Sequence, residues 1–388
     1  MAAATISLVP ALADSGSPSL PSITAEQLLT KMAASDTQTV SGTVKVTTDL
    51  GLPDVLTGGA TSSLFGGGGP GGGRGPGKAD KGAAAPQSQL TQLLAGSHTL
   101  HVAADGPDRQ KISVIETAAE YSIIHNGTQV WAYDSASNSV YHATAPKEQR
   151  GKADSGKLPD DVPTTPQAAA QQILKAADGK SSIKVDGTAR VAGHSAYELT
   201  VTPQHADSTT VGVIRIAVDS KTGVPLKFTL TPRGGGKAVF DIAFTKVSFG
   251  KPSASTFDFT PPKGAKVTED SAAGKGAGTG QDHSHNGRVH TDPKGTGGSG
   301  EHTVIGSGWD SIAVIKAPAG LPSGAEKNGR GKADSLLNSF GTKVSGPFGS
   351  GTYFHTRLVN ALLTDNGTLY VGAVNQSALT AAANSAAK

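Results

Sequence analysis

Short stretches in which apolar and polar residues alternate dominate the chain. In HTLHVAADG (98–106) and PLKFTLTP (225–232), the apolar residues fall mainly on every second position. Side chains of a β-strand point alternately to its two faces, so this pattern predicts strands with one apolar and one polar face. Most gaps between such stretches are too short for the helical crossovers of a parallel sheet, which predicts an antiparallel sheet.

Two stretches predict helices instead. SITAEQLLTKMAASD (22–36) begins with a capping box, because Gln27 follows Thr24 by three residues. TPQAAAQQILKAAD (165–178) is the second, and both carry apolar residues at helical spacing. Their apolar faces are small, with Leu28, Leu29 and Met32 in the first helix and Ala170, Ile173 and Leu174 in the second.

Segments of low apolar content divide the chain. Residues 57–88 form a Gly-rich, disordered insertion and residues 269–301 form a flexible linker, since neither has enough apolar surface to pack. The sequence therefore predicts a large domain at 22–268 and a small α+β domain at 302–388. In the small domain we expect a strand in GWDSIAVIKAP (308–318), a short helix in KADSLLNSFG (332–341), a hairpin turning at 365–367 and a closing helix capped by Ser377.

Residues 1–21 are typical of the end of a secretory signal and a short linker. The apolar run from Ala2 to Ala13 ends in Ala-Leu-Ala, which fits a signal-peptidase cleavage site. No basic residue precedes the run, so we interpret it as a remnant whose true start lies upstream; an alanine-rich end of a cytoplasmic protein is the alternative. No later stretch approaches the roughly 18 apolar residues of a membrane span. The predicted location is extracytoplasmic, either secreted or associated with the cell envelope.

Charge and composition exclude several classes of function. The 34 basic and 31 acidic residues give a net charge of +3, which is too balanced to predict nucleic-acid binding. The chain has no cysteine, which excludes disulfides, thiolate metal sites and a cysteine nucleophile.

Residue patterns typical of enzymes are also missing. Neither a Gly-x-Ser-x-Gly nor a His-Glu-x-x-His motif is present. His283, His285 and His290 lie close together and could bind zinc or copper, but their Gly-rich surroundings provide no scaffold to fix a geometry. We therefore predict no catalytic residue, no metal site and no cofactor, and a protein that is not an enzyme.

The predicted strands of the large domain offer more apolar surface than two small helices cover. One solution is a half-closed barrel that leaves an apolar cavity suited to acyl chains or other lipids. The alternative, in which the helices and the insertion simply fill the core, stays open. The predicted lipid-binding residues are Leu100, Val102, Ile112, Val114, Ile123, Leu199, Ile214, Ile216, Leu226, Phe228, Phe240, Ile242 and Phe244.

Two motifs resemble a known superfamily. IAVDSKTGVPLKFTL (216–230) contains an Asp-x-x-Thr-Gly-x-Pro-Leu turn, and SASTFDFTPPKGAKV (253–267), which we expect to end the run of strands, contains Phe-x-Phe-x-Pro-Pro-x-Gly. Together with the order of elements over 22–268, they resemble the LolA-type lipoprotein carriers, LppX and the RseB/MucB group. This resemblance implies an α+β fold, in which an incomplete antiparallel β-barrel wraps over helices, and a cavity that sequesters acyl chains of lipids or lipoproteins.

The segment 302–388 looks like the small second domain of RseB/MucB. That resemblance implies an alternative function, a regulatory sensor whose small domain binds a membrane anti-sigma factor or another envelope protein. The high Gly and Ala content is typical of a high-GC actinobacterial envelope protein. The leading prediction is a non-enzymatic, carrier-type protein that binds lipid or lipoprotein acyl chains.

Overall fold

The computed structural model describes residues 17–51, 84, 93, 95–144, 165, 166, 170, 171, 180–269, 302–316 and 341–387. Several predicted features lie outside the described residues: most of the signal remnant, nearly all of the Gly-rich insertion, most of the second helix with Ile173 and Leu174, the linker with its three histidines, and the helix at 332–341. Pro166, Ala170 and Gln171 are helical, as predicted.

Among the described residues, twelve strands form a large sheet in the order β12-β6-β5-β4-β3-β2-β1-β11-β10-β9-β8-β7. The strands are β1 (Thr39–Thr48), β2 (Gly96–Asp105), β3 (Arg109–Ile115), β4 (Glu120–Asn126), β5 (Gln129–Asp134), β6 (Ser139–Thr144), β7 (Ser181–Val191), β8 (His194–Pro203), β9 (Val211–Asp219), β10 (Pro225–Pro232), β11 (Phe240–Ser248) and β12 (Lys266–Glu269).

The large sheet is antiparallel except at one edge. β12 pairs with β6 in parallel, which corrects the expectation of a purely antiparallel sheet. The edge strands β12 and β7 do not pair with each other, so the sheet does not close into a barrel. The fold is therefore mostly β with few helices, which confirms the predicted class in outline.

The helix α1 (Ala25–Ala33) begins as the sequence predicts. The Thr24 hydroxyl accepts a hydrogen bond from the Gln27 amide (3.1 Å), and the Gln27 side chain accepts one from the Thr24 amide (2.9 Å). This reciprocal pair satisfies two amides that the helix start leaves unpaired. Of the predicted apolar face, Leu28 is fully buried, while Leu29 and Met32 are partly buried against the same core.

The segment after β11 differs from the predicted strand. Its first part is a short 3₁₀ helix, Ala254–Phe257, and Phe257 is almost fully buried. Phe259 lies against Trp131 and Tyr133 of β5, with ring centroids 5.5 and 5.8 Å apart. The predicted polar face of the large sheet is therefore covered by an aromatic strap at this place, and only the end of the stretch forms a strand, β12.

Six strands from the described parts of 302–387 form a second, smaller sheet in the order β13-β14-β18-β17-β16-β15. The helix α2 (Gln376–Ala386) packs on one of its faces and buries Leu379 and Ala383. Asn375, not Ser377, caps this helix, because the Asn375 side chain accepts from the Ala378 amide (3.0 Å). The strands are β13 (His302–Ile305), β14 (Ile312–Lys316), β15 (Thr342–Gly346), β16 (Gly349–Phe354), β17 (Asn360–Thr364) and β18 (Thr368–Gly372).

The two sheets share apolar core and backbone hydrogen bonds. Trp309 and Leu358 of the small sheet's loops are buried in the same apolar cluster as the large sheet. Thr209, in the loop between β8 and β9, forms an antiparallel bridge with Val374. The Arg357 guanidinium bonds the Asp49 carboxylate at 2.6 Å. The small sheet also has an apolar core of its own, around Leu362 and Leu379. The domain limits read from the sequence stay a prediction.

Candidate functional site

All thirteen predicted lipid-binding residues lie on one face of the large sheet, which we call the inner face. Strand register places them together: Val44 lies between Leu100 and Phe244, and Phe228 lies between Ile242 and Ile216. Ile112, Ile123 and Phe240 are half-buried and the other ten are buried. Their common placement follows from the alternation in the sequence, whereas their role in binding stays a prediction.

Several side chains from outside the sheet cover the inner face. Leu28 of α1 is fully buried there, together with Leu93 and Ala170. A cavity of about 100 Å³ lies beside the inner face, lined by Val102, Ile112 and Phe244 of the sheet together with Thr165 and Val224 among others. Ligand pockets typically have volumes of about 300–1,000 Å³. An acyl chain would therefore need the cover to move.

Two polar side chains of the large sheet hold this cover in place. The Tyr121 hydroxyl donates to the Ala84 carbonyl (3.0 Å), and the Thr48 hydroxyl donates to the Leu93 carbonyl (3.0 Å). Burial, with a contribution from Asp134, raises the pKa of Tyr121 well above its ordinary value, so the phenol stays a donor at physiological pH. Each hydrogen bond attaches a residue from outside the strands, Ala84 or Leu93, to the inner face of the sheet.

The Asp-x-x-Thr-Gly turn between β9 and β10 is organised around one buried carboxylate. Asp219 accepts hydrogen bonds from the Lys221 amide (2.9 Å), the Thr222 amide (2.6 Å) and the Thr222 hydroxyl (2.9 Å). Its other oxygen lies 3.0 Å from His194 Nδ1. Pro225 follows as the first residue of β10, where a missing amide is tolerated.

The same turn contacts the end of α1. Gly223 has a φ of +76°, and a Cβ at this position would lie 2.6 Å from the Lys31 carbonyl oxygen. The Lys31 ammonium in turn donates to the Ser220 carbonyl. Glycine is required here both for the left-handed backbone and for the close approach of the helix. The Asp-x-x-Thr-Gly-x-Pro-Leu turn, the most specific sequence motif of the chain, is thus the surface on which the end of α1 packs.

Replacing Gly223 with alanine is expected to lower the free energy of unfolding by about 2 kcal/mol or more, from left-handed strain plus displacement of α1. Gly193→Ala is the matched control, because Gly193 has a φ of +85° with open space around it. Urea denaturation of both variants measures the difference. Equal losses in the two variants would show that the contact with Lys31 contributes nothing.

The Asp219 carboxyl has an altered acidity. Burial by itself raises its pKa, but the hydrogen bonds from Thr222 and Lys221 and the neighbouring His194 outweigh burial, so the pKa lies below its usual value. A carboxyl whose pKa is lowered by folding stabilises the protein above its unfolded-state pKa of about 4, and this contribution disappears as the pH falls through the folded-state pKa.

Asp219→Asn is therefore expected to be less stable than the native chain at pH 7, by about 1–3 kcal/mol. The difference in free energy of unfolding between the native chain and this variant should decrease as the pH falls below about 4, where the native carboxyl also becomes protonated. Denaturant titrations across this pH range check the expectation, with Asp241→Asn as control, since Asp241 is exposed and only forms a surface ion pair with Lys227. A gap that is independent of pH would contradict it.

The described residues contain neither a metal-binding cluster nor a membrane-spanning helix. No group of three or more histidine or acidic side chains in them could hold a metal ion. Among the described helices, none has the length and apolar character needed to cross a membrane.

Sequence reasoning missed two structural features next to the site. The aromatic strap of Phe257 and Phe259 covers the outer face, and its only signal was the Phe-x-Phe spacing. The contacts of Trp309 and Leu358 with the large sheet had no signal, because they join residues far apart in the chain.

The protein is mostly β, with a large open sheet that has one apolar face and is antiparallel except at one edge. A helix that packs on the Thr-Gly-x-Pro turn partly covers this apolar face. Residues 86–269 match the family model described as "Predicted periplasmic protein (DUF2092)". This match confirms the predicted extracytoplasmic location. A 72-residue segment is 40% identical to an outer-membrane lipoprotein carrier protein of Vibrio parahaemolyticus, which confirms the resemblance to LolA-type carriers.

The curated match is partial, since it spans 19% of this chain and 33% of the carrier. Among solved structures, the Pseudomonas aeruginosa MucA/MucB complex aligns over 92% of this chain and 96% of the matched chain, at 14% identity and a TM-score of 0.39. A LolA superfamily protein from Nitrosomonas europaea aligns over 61% of this chain and 99% of its own, at 11% identity and a TM-score of 0.22.

Proposed function

We propose that this protein is a non-enzymatic, carrier-type protein that binds acyl chains of lipids or lipoproteins outside the cytoplasm. The acyl chain lies against the inner face of the large sheet, which acts as a half-barrel wrapped over its helices. The observation that carries the proposal is a continuous apolar face, on which strand pairing brings all thirteen predicted binding residues together. Such a surface recognises chains by apolar burial alone.

Uptake in this proposal proceeds by exchange of one apolar cover for another. The cavity of about 100 Å³ between Val102, Ile112 and Phe244 is where the chain first enters. Further entry displaces Leu28 and its neighbours from the inner face, and the acyl chain takes their place. Each buried methylene contributes about 0.8 kcal/mol, so a long chain compensates for the contacts that the cover loses.

The opposite end of the half-barrel is closed by the small sheet in this proposal. Trp309 and Leu358 occupy the core close to Leu50 and the β8–β9 loop. The cavity instead lies near Val40 and Val224, so entry takes place at the end where α1 sits on the Thr-Gly-x-Pro turn.

Ile112→Trp tests the proposed entry point. The larger ring is expected to fill the cavity and to weaken binding of a fluorescent fatty acid by about tenfold, equivalent to roughly two buried methylenes. Ile115→Trp is the matched control, because Ile115 lies on the opposite face of the same strand. Native binding by both variants would remove the cavity from the proposal, and absence of fatty-acid binding by the native chain would refute the proposed function itself.

A second candidate function is regulation through an envelope partner, for which the small sheet provides an observation. The face of this sheet opposite α2 leaves Val304, Ile315 and Leu363 exposed, at 67, 42 and 36% of their surface. A photo-reactive residue at position 315 of the full chain, used in intact cells, would join to a membrane protein if this face binds one. Loss of the adduct in a Val304→Asp background would support the assignment, and absence of any adduct would count against it.

A further inference from the structure

A groove on the outer face of the large sheet lies on the side away from the proposed acyl-binding face. It is shallow and open to solvent, has a volume of about 340 Å³ and lies over β2, β1 and β11, with Ser41, Thr43, His101, Lys246 and Ser248 among its lining residues. Residues of these strands also line the inner cavity, but the groove lies on the opposite face of the sheet. It contains hydroxyl and basic groups where the inner face contains apolar ones.

A β-bulge shapes this groove. Thr43 of β1 pairs with Lys246 of β11, but the next residue, Val44, pairs with Phe244, so Thr245 has no partner in the ladder. Gly42 lies beside the bulge, and a Cβ there would come 2.1 Å from the Lys246 carbonyl oxygen. Bulges bend a sheet and redirect side chains, and they occur often beside binding sites. Glycine at position 42 is therefore a requirement of the groove's backbone.

The lining groups are available to a ligand. Within the described part of the chain, the side chains of Ser41, Thr43 and Lys246 have no hydrogen-bond or ion-pair partner. His101 is exposed. The Glu120 carboxylate interacts electrostatically with His101, but this carboxylate already accepts a hydrogen bond from the Ser122 hydroxyl (2.6 Å). The groove therefore presents donors and positive charge with no free carboxylate among its lining residues.

We propose that this groove binds a compact anionic group of the phosphate-ester type. Lys246 supplies the charge, and the Ser41 and Thr43 hydroxyls and the His101 ring supply further donors to the phosphate oxygens. Charge-assisted hydrogen bonds of this kind are the strongest available to an exposed site. The volume admits a phosphate together with a small attached alcohol such as glycerol. The site is separate from the acyl-binding face, and the proposed function does not depend on it.

Amide chemical shifts of the full chain, titrated with glycerol 3-phosphate, test the site. We expect saturable shifts at 41–43 and 246–248 that weaken as salt is added. Lys246→Ala is expected to weaken binding by about tenfold or more, the loss of a hydrogen bond to a charged group. Lys227→Ala is the matched control, because Lys227 lies on the same face but is already paired with Asp241 at 3.5 Å.

A second experiment, sedimentation with vesicles of phosphatidylglycerol or phosphatidylcholine, tells whether the bound phosphate belongs to a lipid head group or to a soluble molecule. If the protein sediments with phosphatidylglycerol and Lys246→Ala abolishes this, the ligand is a lipid head group. If it responds only to soluble glycerol 3-phosphate or inorganic phosphate, the ligand is a soluble phosphate. Both outcomes support the site. Absence of saturable shifts, or equal weakening by Lys246→Ala and Lys227→Ala, would overturn the proposal. Ile112→Trp should leave this binding unchanged.

Discussion

Replacing Trp309 with alanine is expected to lower the free energy of unfolding by about 3–5 kcal/mol, the cost of deleting a buried aromatic side chain. Trp309 belongs to the small sheet's loops, yet it is 6% exposed and lies within the core of the large sheet. Its indole also donates to the Ser181 hydroxyl at 2.8 Å. The loss should therefore affect the large sheet and not only the loop that carries the side chain.

Tryptophan fluorescence can report the effect on the large sheet alone. The chain has two tryptophans, so Trp309→Ala leaves Trp131 of β5, in the large sheet, as the only tryptophan of the chain. We expect the Trp131 transition in urea to move to lower denaturant concentration. Leu363→Ala, at a 36% exposed position of the small sheet, should change stability by less than about 0.5 kcal/mol. An unchanged Trp131 transition in Trp309→Ala would show that the two sheets unfold independently.

Leu28→Ala is expected to have the second largest effect, a loss of about 2–5 kcal/mol in the free energy of unfolding. Leu28 is the one residue of α1 that is fully buried, and it packs on the inner face of the large sheet. Its removal should also detach α1 more often, which hydrogen exchange of the helix amides would detect as faster exchange. Under the proposed function, uptake of a fluorescent fatty acid should become faster in the same variant.

Leu29→Ala provides the comparison for Leu28→Ala, because Leu29 is its neighbour on the helix but only partly buried. Both changes remove the same atoms and leave the capping box at Thr24 and Gln27 unaltered. Equal destabilisation by the two variants would contradict the assignment of Leu28 as the anchor of α1. Slower fatty-acid uptake in Leu28→Ala would contradict the proposal that α1 covers the acyl-binding face.

The sequence predicted most of the large sheet because its strands carry their orientation in the alternation of residue types. Leu226, Phe228 and Leu230 fall on the inner face for this reason, and the Gly223 turn and the Thr24 capping box have equally local signals. Local signals of this kind depend on residues a few positions apart, and a single sequence displays them directly.

The remaining features depend on contacts between distant residues. The parallel pairing of β12 with β6 joins residues 266–269 to 139–142, and nothing in either segment specifies the direction. The shared core at Trp309 and Leu358 likewise had no counterpart in the sequence pattern. The small volume beside Ile112 and Phe244 follows from how side chains fill space, which periodicity does not determine.

The central claim is that acyl chains bind to the inner face of the large sheet, and photo-cross-linking with a diazirine-bearing fatty acid tests it most directly. After irradiation of the full chain and proteolysis, mass spectrometry locates each adduct. We predict saturable adducts on inner-face residues near Val102, Ile112 and Phe244, displaced by unlabelled fatty acid and reduced in Ile112→Trp. No saturable adduct, or adducts confined to the outer face around Ile115 and Lys227, would contradict the account.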